Sequence, residues 1–214
     1  MNITENFLNI KKEIELLKYK NNFIVVSKNQ TLESIIPLIE NGHRDFGENR
    51  IQEAADKWTE IIFNNKDINL HFLGKLQSNK AKEAYKIFNY IHSLDNEKLA
   101  KIFSDLESKY NKKLKYFIQV NIGNEIQKNG IDKKLVTNFL NYCKNELKLN
   151  IVGLMCIPPM HENANKFFLE LKTMAIINNL PELSMGMSED FKEAINCGAT
   201  YIRIGSAIFA KKSN

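Results

Sequence analysis

A lysine directly after an apolar segment is the first residue in this sequence that could do chemistry. Lys28 follows Ser27 and the four apolar residues Phe23-Ile24-Val25-Val26. If its amine lies partly inside a binding cavity, desolvation and nearby positive charge lower its pKa and make it nucleophilic toward an aldehyde. The alternative is a solvated lysine at the end of a strand. The pattern therefore predicts a carbonyl-binding lysine without excluding an ordinary surface residue.

Two segments of small residues late in the chain could bind an anion. They are Ser184-Met185-Gly186-Met187-Ser188 and Gly205-Ser206-Ala207. Small residues let backbone N–H groups approach a phosphate, and the start of a helix adds a favourable dipole. Arg203 could direct its guanidinium at an acceptor on the ligand. Taken singly, the glycines are better explained as turn residues. Together with a buried Lys28 across from them, they describe a site for a phosphorylated aldehyde.

The other titratable residues predict no further site. The histidines share no metal-ligand spacing, so no metal is expected at His43, His71, His92 or His161. His71 and His92 are expected to form hydrogen bonds inside the fold. Glu48 and Glu53 could supply acid–base chemistry, although the position of Glu53 also fits one face of a helix.

Short apolar strands alternate with helical patterns and must position these residues. The predicted strands are 23–26, 45–46, 70–73, 90–91, 114–120, 151–155, 182–185 and 201–204. This alternation is typical of repeated βα units around a parallel sheet. In a barrel of such units, residues at the carboxyl ends of the strands face the active site. Lys28, Asn49, Ser184, Arg203 and Gly205 all fall at predicted strand ends.

The predicted helices complete the units. They are 6–18, 31–40, 49–62, 79–88, 95–110 with Asp95 as its N-cap, 135–147, 163–179 and 190–196. No linker rich in Pro, Gly or Ser divides the chain, so we expect one domain over residues 1–214. The count favours an α/β fold, a single (β/α)8 TIM barrel with an extra N-terminal helix. An open doubly wound sheet is the alternative, because strand count alone does not show closure.

Net charge and cysteine usage narrow the class of protein. The net charge of +5 mildly favours anionic ligands, but the lysine pairs are isolated, so no nucleic-acid partner is expected. The three cysteines are widely spaced without a CxxC pair, which favours a reducing compartment. No signal-peptide pattern opens the chain, and no apolar run approaches the roughly 18 residues that a membrane span needs. These features predict a cytoplasmic protein without membrane contact.

Seven ordered motifs give the sequence a family resemblance. They are VVSK (25–28), FGENRIQE (46–53), HFLGKLQSNK (71–80), IHSLD (91–95), GLM (153–155), LSMGMS (183–188) and RIGSAIF (203–209). Over about residues 23 to 209 the chain resembles the YggS/PROSC family of pyridoxal 5'-phosphate (PLP) homeostasis proteins. Members of that family are similar to the barrel domain of bacterial alanine racemase, a fold-type III PLP protein.

The resemblance implies a PLP site and assigns its residues. Lys28 would be the Schiff-base lysine and Arg203 would face the pyridine nitrogen. The remaining PLP-binding residues would be Asn49 beside the ring and Ser184, Gly205 and Ser206 at the phosphate. Lys128 matches a family lysine implicated in PLP release or in binding a second molecule, but a surface lysine explains it as well. Ser206 stands where the family usually has Thr, and Ala210 replaces a usual Gly.

The resemblance also implies a function in vitamin B6 homeostasis. The protein would bind PLP, limit free aldehyde and supply the cofactor to PLP-dependent apo-enzymes, as a monomer and without catalysis. An amino acid racemase is the alternative. Racemisation needs an acid and a base on opposite faces of the α-carbon, and the sequence offers no convincing partner for Lys28. Few residues follow the last strand, so no second domain is expected to supply one. An interaction module without cofactor is the third class.

Overall fold

The structure, a computed structural model, describes residues 2–125 and 127–209. Ala210 and both ends of the predicted 1–214 domain lie outside this part of the chain. Its strands are β1 Asn22–Val26, β2 Asp45–Glu48, β3 Asn69–Phe72, β4 Tyr90–Leu94, β5 Lys115–Gln119, β6 Ile151–Met155, β7 Glu182–Ser184 and β8 Tyr201–Ile204. Each predicted strand is present, with ends that differ from the prediction by up to three residues.

Helices separate the strands, with one more before β1 and one after β8. They are α1 Ile3–Leu16, α2 Leu32–Glu40, α3 Ile51–Asn64, α4 Ala81–Ile87, α5 Glu97–Tyr110, α6 Val136–Asn141, α7 Ala164–Ile177, α8 Phe191–Asn196 and α9 Ser206–Phe209. Short 3-10 turns, Ser78–Lys80 and Lys133–Leu135, precede α4 and α6, and a π-helical turn, Tyr142–Glu146, follows α6. Among the described residues, no helix is both long enough and apolar enough to cross a membrane.

The eight strands form a closed parallel barrel in which β8 returns to pair with β1. Val26 of β1 lies opposite Gly47 of β2, and Val25 lies opposite Ile204 of β8. Closure confirms the predicted TIM barrel, and α1 is the predicted extra N-terminal helix. The alternative of an open doubly wound sheet was wrong. An open sheet leaves two edge strands with only one neighbour each, whereas here β8 pairs with β1.

Strand residues alternate between the barrel axis and the surrounding helices. Outward residues pack on the helices, as Phe46 does on Trp58 of α3, with ring centroids 4.8 Å apart. The inward residues form a separate buried cluster of Ile24, Tyr90, Phe117, Met155 and Tyr201. Because Arg203 follows Tyr201 by two residues, it shares the inward face of β8.

Two helix starts differ from the prediction because of local capping. The Asn2 side chain accepts from Glu5 N over 2.8 Å while the Glu5 carboxylate accepts from Asn2 N over 3.0 Å, a capping box that starts α1 before residue 6. At α5 the cap is Asn96, whose side chain accepts from Leu99 N over 2.9 Å, so Asp95 as N-cap was wrong. Both starts depend on which polar side chain reaches a free N–H group.

His43 provides a test of acid stability. It lies between the rings of Phe7, Phe23 and Phe46, with centroids 5.1 to 5.4 Å away, and its Nε2–H donates to Asp45 O over 2.8 Å. Burial is the main cause that lowers the pKa of His43 to about 4. Below pH 6.5, His43 therefore binds a proton in the unfolded chain but not in the folded protein. The stability of the fold consequently falls as the pH drops from 6.5 towards 4.

We expect His43→Phe to flatten this dependence. The ring fits the aromatic surroundings, and the variant has no imidazole to protonate in the unfolded state. Between pH 7 and 4.5 the free energy of unfolding should fall by roughly 2 kcal/mol less in the variant than in the wild type. Urea unfolding at several pH values measures this difference. An identical pH dependence in both proteins would show that His43 is not the residue responsible.

Candidate functional site

The carboxyl ends of β1, β2 and β8 lie side by side at one end of the barrel, which we call the mouth. Ser27 N donates to Gly47 O over 2.9 Å, and β8 pairs with the other edge of β1. Lys28 therefore lies between the segments that leave β2 and β8. Those segments carry Asn49 on one side and Gly205-Ser206 on the other. Four of the predicted binding residues are thus brought to the same part of the mouth.

These four residues differ in exposure. Lys28 and Ser206 are exposed, whereas Asn49 and Gly205 are half-buried. The partial burial expected of the Lys28 amine is therefore not observed. Asn49 is backed by Gly74 of the next segment, where a Cβ would stand only 2.3 Å from Asn49 O. Glycine at 74 is what allows the two segments to approach so closely.

The turn after β8 presents converging backbone donors. Gly205 N and Ala207 N both donate to Ser188 Oγ, each over 3.3 Å. A Cβ on Gly205 would lie 3.1 Å from Val26 O and 3.2 Å from Val26 Cβ, so glycine keeps this turn close to β1. Backbone N–H groups directed at one oxygen form the kind of concavity that binds phosphate oxygens. The residues present therefore fit a phosphate group at the 205–207 turn.

The turn after β7 also requires a glycine. Gly186 has φ +92°, and a Cβ there would meet Ala194 Cβ at 2.5 Å. Its carbonyl accepts from Arg203 N over 2.9 Å, which ties the end of β7 to β8. Gly186 is thus a turn residue, the simpler of the two explanations that its sequence position allowed.

Arg203 lies below the mouth with its side chain buried. Nη1 donates to Ser184 Oγ over 2.8 Å and Nη2 donates to Cys156 O over 3.0 Å. Burial lowers the pKa of the guanidinium, which nevertheless stays protonated near neutral pH. These two bonds use only part of its donor capacity, and its other N–H groups have no partner among the described residues. The guanidinium can therefore donate to a ligand seated above it.

Ser184 lies behind Arg203 rather than in the 205–207 turn. It is fully buried, and its Oγ is 2.8 Å from Arg203 Nη1 and 2.8 Å from His92 Nδ1. The hydroxyl thus has protein partners on both sides. This geometry favours Ser184 as a support for Arg203, and its direct contact with a phosphate stays a prediction.

A chain of polar side chains continues from Ser184 through the barrel interior. His92 Nε2 lies 3.0 Å from His71 Nδ1, and His71 Nε2 lies 3.1 Å from Asp45 Oδ1. The predicted hydrogen bonding of both histidines inside the barrel is confirmed. Burial lowers the pKa of both rings, and the charge of Arg203 adds to the effect at His92. Asp45 begins β2, so the chain ends at the side opposite the mouth.

A buried ion-pair cluster fixes the backbone on both sides of Lys28. Lys57 Nζ donates to Ser27 O over 2.7 Å and to Glu48 Oε1 and Glu53 Oε1 over 2.9 Å each. Glu53 Oε1 also accepts from the backbone N of Asn29, the residue after Lys28. Ser27 and Asn29 are thereby tied to side chains of α3.

Within this cluster, Glu48 and Lys57 have structural roles that were not predicted from the sequence. Glu48 is fully buried, and its Oε1 also accepts from Ser27 Oγ and Trp58 Nε1, so its contacts are those of a structural partner of α3. Lys57 was missed altogether. Its signal was a lysine between Ala54 and Trp58 on the apolar face of the predicted helix, at the i+4 position from Glu53.

Lys128 lies away from Lys28, beside a cavity of about 190 Å³ at the carboxyl end of β5. Its Nζ is 2.6 Å from Glu125 Oε2 and donates to Pro158 O over 3.2 Å. Gln119 and Asn121 line the same cavity. The structure therefore gives Lys128 an ion pair with Glu125, and the roles that the resemblance implies for it stay predictions.

Comparison with known proteins shows which family of proteins this chain resembles. The model of the alanine racemase N-terminal domain matches residues 2–212. A pyridoxal phosphate homeostasis protein of Synechocystis is 39% identical over 201 residues, which cover 88% of this chain and 90% of that protein. A protein of the same name from Haemophilus influenzae is 33% identical and covers 100% of this chain and 97% of its own length.

A solved structure agrees with these sequence comparisons. PipY of Synechococcus elongatus, solved with PLP bound, superimposes with a TM-score of 0.88 at 32% identity. The match covers 98% of this chain and 100% of that chain. The two curated relatives are named for homeostasis of the cofactor and not for a reaction.

Proposed function

Because this chain belongs to the pyridoxal phosphate homeostasis proteins, we propose that it binds PLP and supplies it to apo-enzymes. Its barrel matches the alanine racemase N-terminal domain. The observation that carries the proposal is the composition of the mouth. A lysine amine, a turn of converging N–H donors and a buried guanidinium lie at the ends of adjacent strands β1 and β8. PLP offers an aldehyde, a phosphate and a ring nitrogen to match them.

We assign one part of the ligand to each group of residues. The 205–207 turn and the Ser206 hydroxyl bind the phosphate, because charge-assisted hydrogen bonds from N–H and O–H groups are strong. Arg203 would donate to the ring nitrogen, and Asn49 would lie beside the ring. Ser184 supports Arg203. PLP would supply an aldehyde at this site, and Lys28 would be the amine that reacts with it.

The ion-pair cluster of Glu48, Glu53 and Lys57 orients Lys28. Its hydrogen bonds fix the carbonyl before Lys28 and the N–H after it, so the backbone of this lysine is held on both sides. The Lys28 side chain itself stays exposed and free to reach toward the 205–207 turn. A fixed backbone lowers the entropy that the lysine loses when it engages a ligand.

Titration with PLP tests the binding function. The protein should take up one equivalent of PLP and gain absorbance in the visible region, and sodium borohydride should make the attachment permanent. Incubation of the loaded protein with a PLP-dependent apo-enzyme should then restore the activity of that enzyme. A colourless protein that leaves all PLP in the filtrate after ultrafiltration would contradict the proposal.

A racemase is the second candidate, since the matching domain model is named for one. We propose that this chain is a carrier instead, because its relatives are named for homeostasis and because the cationic Arg203 would face the ring nitrogen. A guanidinium there opposes protonation of that nitrogen, and PLP then withdraws electrons from an amino acid less effectively.

We expect no appreciable exchange of the α-proton of alanine or serine in heavy water by the PLP-loaded protein. A racemase needs groups that act on both faces of the α-carbon, and Lys28 supplies one face at most. Proton NMR of the amino acid measures the exchange. Turnover on the order of 1 per second or faster would restore the racemase.

We further propose that the protein acts in the cytoplasm as a monomer. The described residues include three buried cysteines, Cys143, Cys156 and Cys197, and all three are free thiols, as a reducing compartment requires. Sedimentation of the loaded protein tests its oligomeric state, and a dimer would contradict the proposed monomer.

A further inference from the structure

The interior hydrogen-bond chain described above joins Arg203 to the far end of the barrel. Its links are Arg203 to Ser184, Ser184 to His92, His92 to His71 and His71 to Asp45, with each pair 2.8 to 3.1 Å apart. Ser184, His71 and His92 are fully buried. The residues come from β8, β7, β4, β3 and β2, so the chain crosses the barrel rather than following one strand.

The direction of donation along this chain is determined by its ends. Asp45 is an ionised acceptor: burial alone would raise its pKa, but the hydrogen bond from His71 holds it below its usual value. His71 must therefore donate from Nε2, and a neutral ring then accepts at Nδ1. His92 donates to that nitrogen and accepts at its own Nδ1. Ser184 donates its hydroxyl hydrogen to His92.

The other end of the chain agrees with this order. Arg203 can only donate, and the Ser184 oxygen still has lone pairs to accept from Nη1. The chain thus has a group that can only donate, Arg203, at one end and a group that only accepts, the ionised Asp45, at the other. The rings are also held by stacking, His92 on Phe117 and His71 on Tyr90, with centroids 4.3 Å apart in both pairs.

We propose that His92, His71 and Asp45 are positioning residues that hold Arg203, through Ser184, in the orientation that recognises the ring nitrogen of the ligand. This proposal rests on the proposed PLP function. Without these hydrogen bonds, the long arginine side chain would populate several rotamers and would not hold this orientation. The chain aims one Nη donor away from the mouth and so fixes which N–H groups point up toward the ligand.

Nitrogen-15 NMR of the ligand-free protein tests the chain itself. Both His71 and His92 should be neutral Nε2–H tautomers at pH 7, with slowly exchanging ring protons. An Nδ1–H tautomer at either ring, or a doubly protonated ring, would overturn the direction derived above. This measurement does not depend on whether PLP binds.

A pair of ligands tests the positioning role. PLP should bind the wild type about tenfold or more tightly than 1-deazapyridoxal 5'-phosphate, in which C–H replaces the ring nitrogen, because a hydrogen bond to a charged donor is lost. His92→Phe keeps the ring stacked on Phe117 but breaks the chain, and it should reduce this ratio to roughly threefold or less. His92→Gln can accept from Ser184 and donate to His71, so it should restore most of the ratio.

Tyr90→Phe is the matched control. It removes a buried hydroxyl from the same interior layer, one that accepts from Lys115 and takes no part in the chain, so the ratio should stay at its wild-type value. Asp45→Ala, which removes the terminal acceptor, tests the chain from the far end should His92→Phe fail to fold, and it should also lower the ratio. Equal weakening of both ligands by these variants, with the ratio unchanged, would overturn the positioning role. Failure of the wild type to bind either ligand would instead refute the proposed function.

Discussion

Replacement of Lys28 by alanine should abolish covalent attachment of PLP while leaving the barrel intact. Lys28 is exposed and sits in a segment fixed by side chains of α3, so loss of its side chain removes no packing contact from the core. Without its amine, the mouth has no nucleophile at the end of β1. The visible absorbance should disappear, and PLP should remain bound only through its phosphate and ring contacts, in rapid exchange.

The location of the attachment decides the result. Borohydride reduction followed by peptide mass spectrometry should find the pyridoxyl group on Lys28 in the wild type and nowhere in Lys28→Ala. Lys75→Ala is the matched control, because Lys75 is also an exposed lysine in a segment that follows a barrel strand, β3. It should keep the full absorbance. A pyridoxyl group found mainly on another lysine of the wild type would make the assignment of Lys28 wrong.

The sequence predicted the barrel well because the fold depends on features that repeat along the chain. Apolar strands such as Ile151–Met155 and Tyr201–Ile204 were predicted with their observed bounds, since both are short and end at polar or turn residues. Closure between β1 and β8 could not be read from the pattern, because a pattern of strands carries no information about which edges meet. The ends of α1 and α5 were missed because they depend on single capping contacts.

The site was predicted in part for a related physical reason. Residues on neighbouring strand ends, such as Lys28, Asn49 and Gly205, are brought together by the barrel topology itself. The environment of each side chain is a tertiary property. The exposure of Lys28 and the burial of Lys57 against Glu48 depend on how α3 packs over β1 and β2, which no local spacing specifies.

Ser184 shows the same limit in more detail. Its place in the LSMGMS motif, between an apolar strand and a glycine turn, predicts a phosphate ligand as readily as a buried partner. Strand parity favours the buried partner. β7 ends at Ser184 with its side chain toward the axis, where the inward Arg203 of β8 and the inward His92 of β4 meet it. The donors left for a phosphate are then those of the 205–207 turn.

PLP should consequently bind far more tightly than pyridoxal, which has the same ring and aldehyde but no phosphate. Each charge-assisted hydrogen bond contributes about 1.5 to 3 kcal/mol, so the loss of two or more should weaken affinity on the order of a hundredfold or greater. Equilibrium titration of the wild type with both ligands measures the difference. The Lys28 amine and Arg203 are available to both ligands, but the free 5'-hydroxyl of pyridoxal can also close on its own aldehyde, so variants at the phosphate contact are needed beside this comparison.

Ser206 variants then locate the phosphate within the mouth. Ser206→Ala should weaken PLP about tenfold and leave pyridoxal unchanged, because only the phosphate contact is removed. Ser206→Thr keeps the hydroxyl, and the exposed position leaves room for its methyl group, so PLP affinity should stay near that of the wild type. If Ser206→Ala instead weakened both ligands equally, or if PLP and pyridoxal bound the wild type with equal affinity, the phosphate would have to lie elsewhere. The 205–207 turn would then be a structural turn whose N–H groups serve Ser188.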